Sequence, residues 1–266
     1  MDTVKLYLRS MKMLLRSQLQ YPLSFIMQTL SQIVMTGGEL MAVLLLIDRF
    51  DSLNHWSAGD LLFIYGMMDI TFYLTECFGR GVTGNFAALV RSGGLDTLFL
   101  RPRGIFTQTL CRDVDPRRIG CISVGVVTLI MGAKMAGIEW TMLKWIAFTE
   151  SILLGVLLIL GLFMIEVIFS IYSVKSIEVV NALTYGGRSA CQYPIDVYPR
   201  ALRLLFMVVA PFALTLHVPA SYILGKPLYG WPEFTAFLCP LAGVALFSIM
   251  YFCFQKALRH YRSTGS

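Results

Sequence analysis

The chain has 266 residues, 56% of them hydrophobic and 14% charged, with a formal net charge of +6. Soluble globular domains are nearer a quarter charged, so this composition excludes an ordinary soluble fold and points to a membrane-embedded chain. The positive charge alone would admit a nucleic-acid partner; its distribution along the chain, given below, assigns it to the membrane and removes that class.

Residues 1–22 come first. Val4, Leu6, Leu8, Met11, Leu14 and Leu15 interleave with Lys5, Arg9, Lys12 and Arg16, and Pro22 marks a break. This pattern predicts an amphipathic interfacial helix with its basic side chains toward lipid phosphates. No small-residue cleavage site follows a compact apolar core, so no cleavable signal peptide is expected. Six apolar segments follow, Leu23–Ile47, Ala58–Phe78, Ile119–Met135, Met142–Tyr172, Leu202–Leu216 and Glu233–Phe254. Most approach or exceed the ~20 residues that a helix needs to cross ~30 Å of hydrocarbon. The fourth is long enough to project beyond a bilayer, and the fifth is short, with Pro211 predicted to bend it. The fold class expected is therefore an all-α integral membrane protein. A six-helix domain spans 23–254, with a cytoplasmic segment at 79–118 between spans 2 and 3 and an external segment at 217–232. Residues 255–266 form a cytoplasmic tail.

With the N-terminus inside, segments 1–22, 79–118, 173–203 and 255–266 hold 18 of the 22 Lys and Arg residues. Arg49, Lys134, Lys144 and Lys226 remain at or near the outer face, which is a positive-inside distribution. All four tryptophans, Trp56, Trp140, Trp145 and Trp231, fall at predicted outer helix ends, where an indole buries its ring and keeps its N–H wet. The two patterns give one topology, six helices with both ends inside.

Few motifs of soluble chemistry are present. The six cysteines include no C-x-x-C and no zinc spacing. "GRGVTG" at Gly79–Gly84 matches a dinucleotide fingerprint, but an apolar span precedes it where a strand is required. "LGKP" at Leu224–Pro227 lacks the upstream Gly and the Ser/Thr of a phosphate-binding loop. His55, His217 and His260 lie near predicted ends or loops, and neither G-x-S-x-G nor H-E-x-x-H occurs. The chain is thus not expected to be an enzyme by itself, nor to hold a metal or cofactor.

Acidic residues inside the spans are more informative: Glu39 in the first, Asp60, Asp69 and Glu76 in the second, Glu150 and Glu166 in the fourth. A charge at mid-bilayer costs ~2.5–3.5 kcal/mol on insertion scales, so such residues face protein or water. Asp69 and Glu76 are seven apart and share a helix face, and Glu76 can pair with Arg80 at i,i+4. Two readings of Asp69 stand open, a substrate-path carboxylate and an interhelix contact. Glu39 and Glu166 are the further path candidates.

The stretch "ALVRSGGLDTLFLRPRG" (88–104) is too polar to span a membrane and too apolar for a solvent loop. It belongs with "DVDPRRIG" (113–120), "KSIEVVNALTYGGR" (175–188), "YPIDVYPRALRLLFMVVAPFAL" (193–214), "VPASYILGKP" (218–227) and "HYRSTGS" (260–266). On these pieces, in this order relative to the spans, the chain resembles the ABC-2 type permeases, in a six-span bacterial exporter branch once grouped as a domain of unknown function. The pair Gly93–Gly94 departs from it, since an acidic residue would follow the first Gly. The resemblance implies a bacterial cytoplasmic-membrane subunit that forms half of an export pathway. It implies a second permease, identical or related, and a separate ATPase subunit dimer that carries ATP and Mg²⁺. Some relatives are associated with toxic-compound efflux, including cationic compounds. Within 88–104, Arg91, Leu95, Asp96, Leu98, Phe99, Arg101 and Pro102 then become candidate ATPase-coupling residues. The rival class is a secondary transporter or channel subunit working without an ATPase; it would ideally show an internal repeat, and none is evident.

Overall fold

The computed structural model describes residues 3–50, 55–83, 86–172, 177–228 and 230–261, and among them every regular element is helical. Helix α1 (Thr3–Gln18) lies across one end of the bundle. Tyr7 donates its hydroxyl to the Phe78 carbonyl at 2.8 Å, and Gln18 Nε2 donates to the Val114 carbonyl at 3.3 Å. Its outer side mixes exposed Leu8 and Met13 with Arg9, Lys12 and Arg16. Helix α2 (Pro22–Phe50) starts on a proline, whose missing N–H costs nothing in a first helical turn. Its 29 residues make it about 44 Å long.

Helix α3 (Ala58–Gly79) is the axis of the fold, buried along most of its length. It begins on a capping box, with Asp60 N–H donating to Ser57 Oγ at 3.3 Å and Ser57 N–H to Asp60 Oδ2 at 2.8 Å. Three short helices follow, α4 (Phe86–Arg91), α5 (Gly94–Phe99) and α6 (Ile105–Leu110). Gly93 stands between the first two with φ of 67°, a left-handed conformation that a Cβ would disfavour. Helix α7 (Ile119–Met135) then packs along α3 with almost no side chain between the backbones. A Cβ on Gly66 would stand 2.6 Å from the Leu129 nitrogen, and one on Gly132 would overlap the Phe63 nitrogen. Small residues let helices approach where hydrophobic burial from water is unavailable as a driving force. Helix α8 (Met142–Tyr172) runs about 46 Å and is the longest element.

The next segment departs from the sequence reading. Residues 173–203 were assigned to the cytoplasm, yet α9 (Ile177–Cys191) packs against α8 and α3. The expected fifth span, Leu202–Leu216, is not one helix. Arg200–Val209, which contains α10 (Arg200–Leu204), and Ala213–Ile223, which ends in α11 (Val218–Ile223), are two arms bent by 85°. Pro211 sits at the break, and the flanking turns Leu205–Val209 and Ala213–His217 are widened to π geometry. The chain closes with α12 (Thr235–Leu238) and α13 (Leu241–His260), which packs on α8. Residues 262–266 of the tail lie outside the described residues. By length and hydropathy, α3, α7, α8 and the α12–α13 unit can each cross a membrane, as can the bent pair if it counts as one span.

The two ends of the bundle differ chemically. At one end the α7–α8 turn stacks Trp140 on Trp145 at 4.3 Å, and Trp140 also meets Phe63 of α3 at 6.3 Å. There Lys226 pairs with Asp60 at 2.8 Å and lies 5.7 Å above the Trp56 ring. At the other end are α1, α4–α6 and the arginines of 113–120.

Candidate functional site

Two polar assemblies built on α3 and one mixed surface packed on α8 and α13 stand out. Near the basic end, Glu76 meets Arg80 at 3.2 Å, one turn on, and Arg118 at 3.0 Å. Asp115 meets Arg117 at 2.6 Å and Arg118 at 3.5 Å. The same two arginines reach α2, Arg117 donating to Gln28 Oε1 at 2.7 Å and Arg118 to Gln32 Oε1 at 2.8 Å. Thus "DVDPRR" stitches the end of α3 and the start of α7 to α2. Burial, with Asp115 close by, pushes the carboxyl of Asp113 above its ordinary value.

The second assembly lies halfway along α3. Asp69 is fully buried, and its Oδ1 accepts from Arg188 Nε at 3.2 Å, Arg188 Nη2 at 2.9 Å and Gln192 Nε2 at 2.8 Å. Its Oδ2 has no hydrogen-bond partner among the described residues. The Arg188 guanidinium also donates to Glu39 at 2.7 Å, and it lies 4.6 Å above the Tyr73 ring and 5.5 Å from that of Phe72. The Glu39 side chain is 48% exposed. Asp69 and Glu39 are therefore brought together, one behind the guanidinium and one in front of it. Glu166 is not with them. It lies much farther along α8, partly buried, with Arg80 as its charged neighbour.

Sequence reasoning missed the partner helix. Tyr185 donates to Glu76 at 2.7 Å, while Arg188 and Gln192 hold Asp69. Residues 185, 188 and 192 share one face of a helix. Residues 185 and 192 are seven apart, as are Asp69 and Glu76 on α3. The complementary spacing was the available signal, and counting Arg188 among cytoplasmic charges hid it. The exposed side of α9 carries Ala182, Tyr185, Gly186 and Ser189.

The third feature is the segment between spans 2 and 3. Val82, Phe86, Leu89, Val90, Leu95, Leu98 and Ile105 form a core of their own with Met164 and Val167 of α8 and Phe254 and Leu258 of α13. Of the coupling candidates, Leu95 (0% exposed) and Leu98 (3%) are thus anchors within the chain and present no surface to a partner. Asp96 is partly buried and, after burial itself, raises the Tyr261 phenol. Arg91, Phe99, Arg101 and Pro102 are exposed, and neighbouring Leu100, unmarked by the sequence reading, is 86% exposed. Gln108 Nε2 donates to the carbonyls of Leu98 (2.9 Å) and Arg103 (2.7 Å), which pins the ends of this tip. Phe99 stacks on Tyr261 at 5.9 Å.

No curated protein and no solved structure matches the chain significantly. A family model described as ABC-2 family transporter protein matches residues 33–265. That range takes in every helix from the last two-thirds of α2 onward, with the Asp69 assembly, the Glu76 assembly apart from Gln28 and Gln32, and the tip at 99–102. The chain belongs to the ABC-2 family of transporter membrane proteins.

Proposed function

We propose that the chain is the permease subunit of an ATP-driven exporter, forming half of a translocation pathway beside a second permease, identical or related. ATP and Mg²⁺ belong to a separate pair of ATPase subunits. In this reading the basic end faces the cytoplasm of a bacterium, by the positive-inside rule, and both termini lie inside. The six crossings are α2, α3, α7, α8, α9 continued by the bent pair, and α13.

The observation that carries the reading is the tip of the segment between spans 2 and 3. Its apolar residues are consumed by an internal core, yet Phe99 and Leu100 stay exposed beside Arg91, Arg101 and Pro102. An apolar point rimmed by cations suits a soluble partner. Because α4–α6 pack directly on α8 and α13, movement imposed there by the ATPases on binding ATP passes to spans rather than to loops. The pathway side is where α2 and α9 leave polar groups uncovered, Glu39 and the Tyr185–Ser189 face. Asp69 stands one layer behind, and Glu166 lies toward the cytoplasmic mouth.

Crosslinking tests this without knowledge of the substrate. In a chain purified with its ATPase, cysteines at positions 91 and 99 should crosslink to the ATPase, and one at 231 should not. Crosslinks from 91 and 99 to lipid alone would overturn the docking assignment.

A further inference from the structure

We propose that the cavity between α1 and the tip at 99–102 holds the phosphate of an anionic phospholipid headgroup, gripped by Arg101 and Arg112 with Arg103 beside them. The site needs only that the basic end meets the membrane surface, and it stands or falls apart from any ATPase.

The cavity has a volume of about 500 Å³. Arg101, Arg103 and Arg112 line it, Leu6 and Ser10 of α1 face them, and no carboxylate is among its lining residues. The acids of this end are engaged elsewhere. Glu76 takes Arg80 and Arg118, and Asp115 takes Arg117 and Arg118. Asp113 has Arg80 and Arg117 as its cationic neighbours, and Glu166 has Arg80. Asp96 acts on the Tyr261 phenol, on the α13 side of the tip. The exposed Arg101 and Arg112 side chains form no ion pair with any described residue. Cations gathered around one cavity without an acid call for an anion.

The cavity is also set in advance. Gln108 Nε2 donates to the Leu98 and Arg103 carbonyls, and the Arg103 N–H donates to the Arg101 carbonyl at 2.7 Å. The turn that carries Arg101 and Arg103 is therefore fixed before anything binds. Guanidinium groups hold phosphate oxygens through paired N–H groups.

Helix α1 says where the phosphate comes from. Its outer side sets exposed Leu8 and Met13 among Arg9, Lys12 and Arg16, the make-up of a helix lying on a membrane surface. A ligand wedged under α1 thus sits at headgroup depth. Leu6, Leu98 and Pro102 add apolar contact for the glycerol and first acyl carbons, which a free phosphate does not have. Basic pockets beside membrane helices on the cytoplasmic side take anionic headgroups.

Native mass spectrometry of the full-length chain, stripped of lipid in detergent, can count bound lipid as phosphatidylglycerol is titrated. One phosphatidylglycerol should bind at least about tenfold more tightly than phosphatidylcholine, whose headgroup has no net charge. Arg101→Gln/Arg112→Gln should weaken this binding about tenfold or more. Its melting midpoint should stay within about 2 °C of the natural one, since both side chains are exposed. Arg200→Gln/Lys256→Gln removes as much charge from exposed positions outside the cavity and should change binding less than about twofold. Equal affinity for the two lipids, or equal weakening by the two double variants, overturns the proposal, because surface charge alone would then account for the binding. Glycerol 3-phosphate separates the sources of phosphate. If it binds the natural chain as tightly as the lipid does and is lost in Arg101→Gln/Arg112→Gln, the cavity serves a soluble phosphate and the lipid assignment fails. If that variant keeps its lipid but no longer copurifies with an ATPase, the occupant is an acidic part of that partner, and the proposal fails again.

Discussion

Arg188→Met isolates the energetics of the mid-span assembly. It removes two of the three hydrogen bonds to Asp69 and leaves a fully buried carboxylate with Gln192 alone. Breaking a buried pair by deleting one partner costs about 3–5 kcal/mol, most of it the unpaired charge left behind. At ~2–4 °C per kcal/mol for a chain of this size class, the midpoint of thermal unfolding in detergent should fall by roughly 6–20 °C. Asp69→Asn added to Arg188→Met removes the stranded charge. An amide at position 69 can still accept from Gln192, so more than half of the loss should return. Glu39→Gln alone should cost under about 1 kcal/mol, because its carboxylate is half solvated and joined by one bond. Circular dichroism on purified, monodisperse protein supplies the midpoints. A single variant that melts within about 2 °C of the natural chain would refute the claim that α9 is tied to α3 by charge. A double variant no more stable than the single would refute the assignment of the cost to Asp69.

Other consequences follow from the packing. Leu98→Asp buries a charge in the core it shares with α8 and α13 and should lower stability by about 3 kcal/mol or more. Phe99→Asp should leave the melting midpoint near the natural value and instead abolish substrate-stimulated ATP hydrolysis by the assembled complex; Arg91→Ala, at the rim, should do less. Gly66→Ala forces α3 and α7 apart, because the new Cβ meets backbone at 2.6 Å, and should cost roughly 1–3 kcal/mol by thermal melt, whereas Gly37→Ala, with nothing within 4 Å, should be neutral or better. For sidedness, cysteines at Thr97 and Trp231 are the informative sites, since both are exposed and they lie at opposite ends of the bundle. In sealed cells only the second should react with an impermeant thiol reagent, and reaction at 97 from outside would reverse the topology.

How much of this was legible in the sequence depends on what each residue faces. The α3, α7, α8 and α13 spans were readable because lipid and neighbouring helices reward the same thing, an unbroken apolar run. The Gly93 and Pro102 breaks were readable because backbone geometry is local. The packing of α9 against α3 and α8 was not, for a single physical reason. A hydropathy window charges every polar residue as if it met hydrocarbon, and α9 carries Tyr185, Arg188 and Gln192, which meet Glu76 and Asp69 instead. The same exchange misled the coupling assignment in the opposite sense. Leu95 and Leu98 look like a docking stripe in sequence, and they are consumed by Phe86, Leu89 and Phe254 of their own chain, while Leu100, two residues after Leu98, is left uncovered. In both cases the sequence supplies the chemistry and tertiary contact supplies its address. A carboxylate within a span is therefore best read together with a search for a cationic face at matching spacing elsewhere in the chain. Here Asp69 and Glu76, seven apart, find Gln192 and Tyr185, also seven apart, with Arg188 between them, and that match in spacing is what holds α9 against α3.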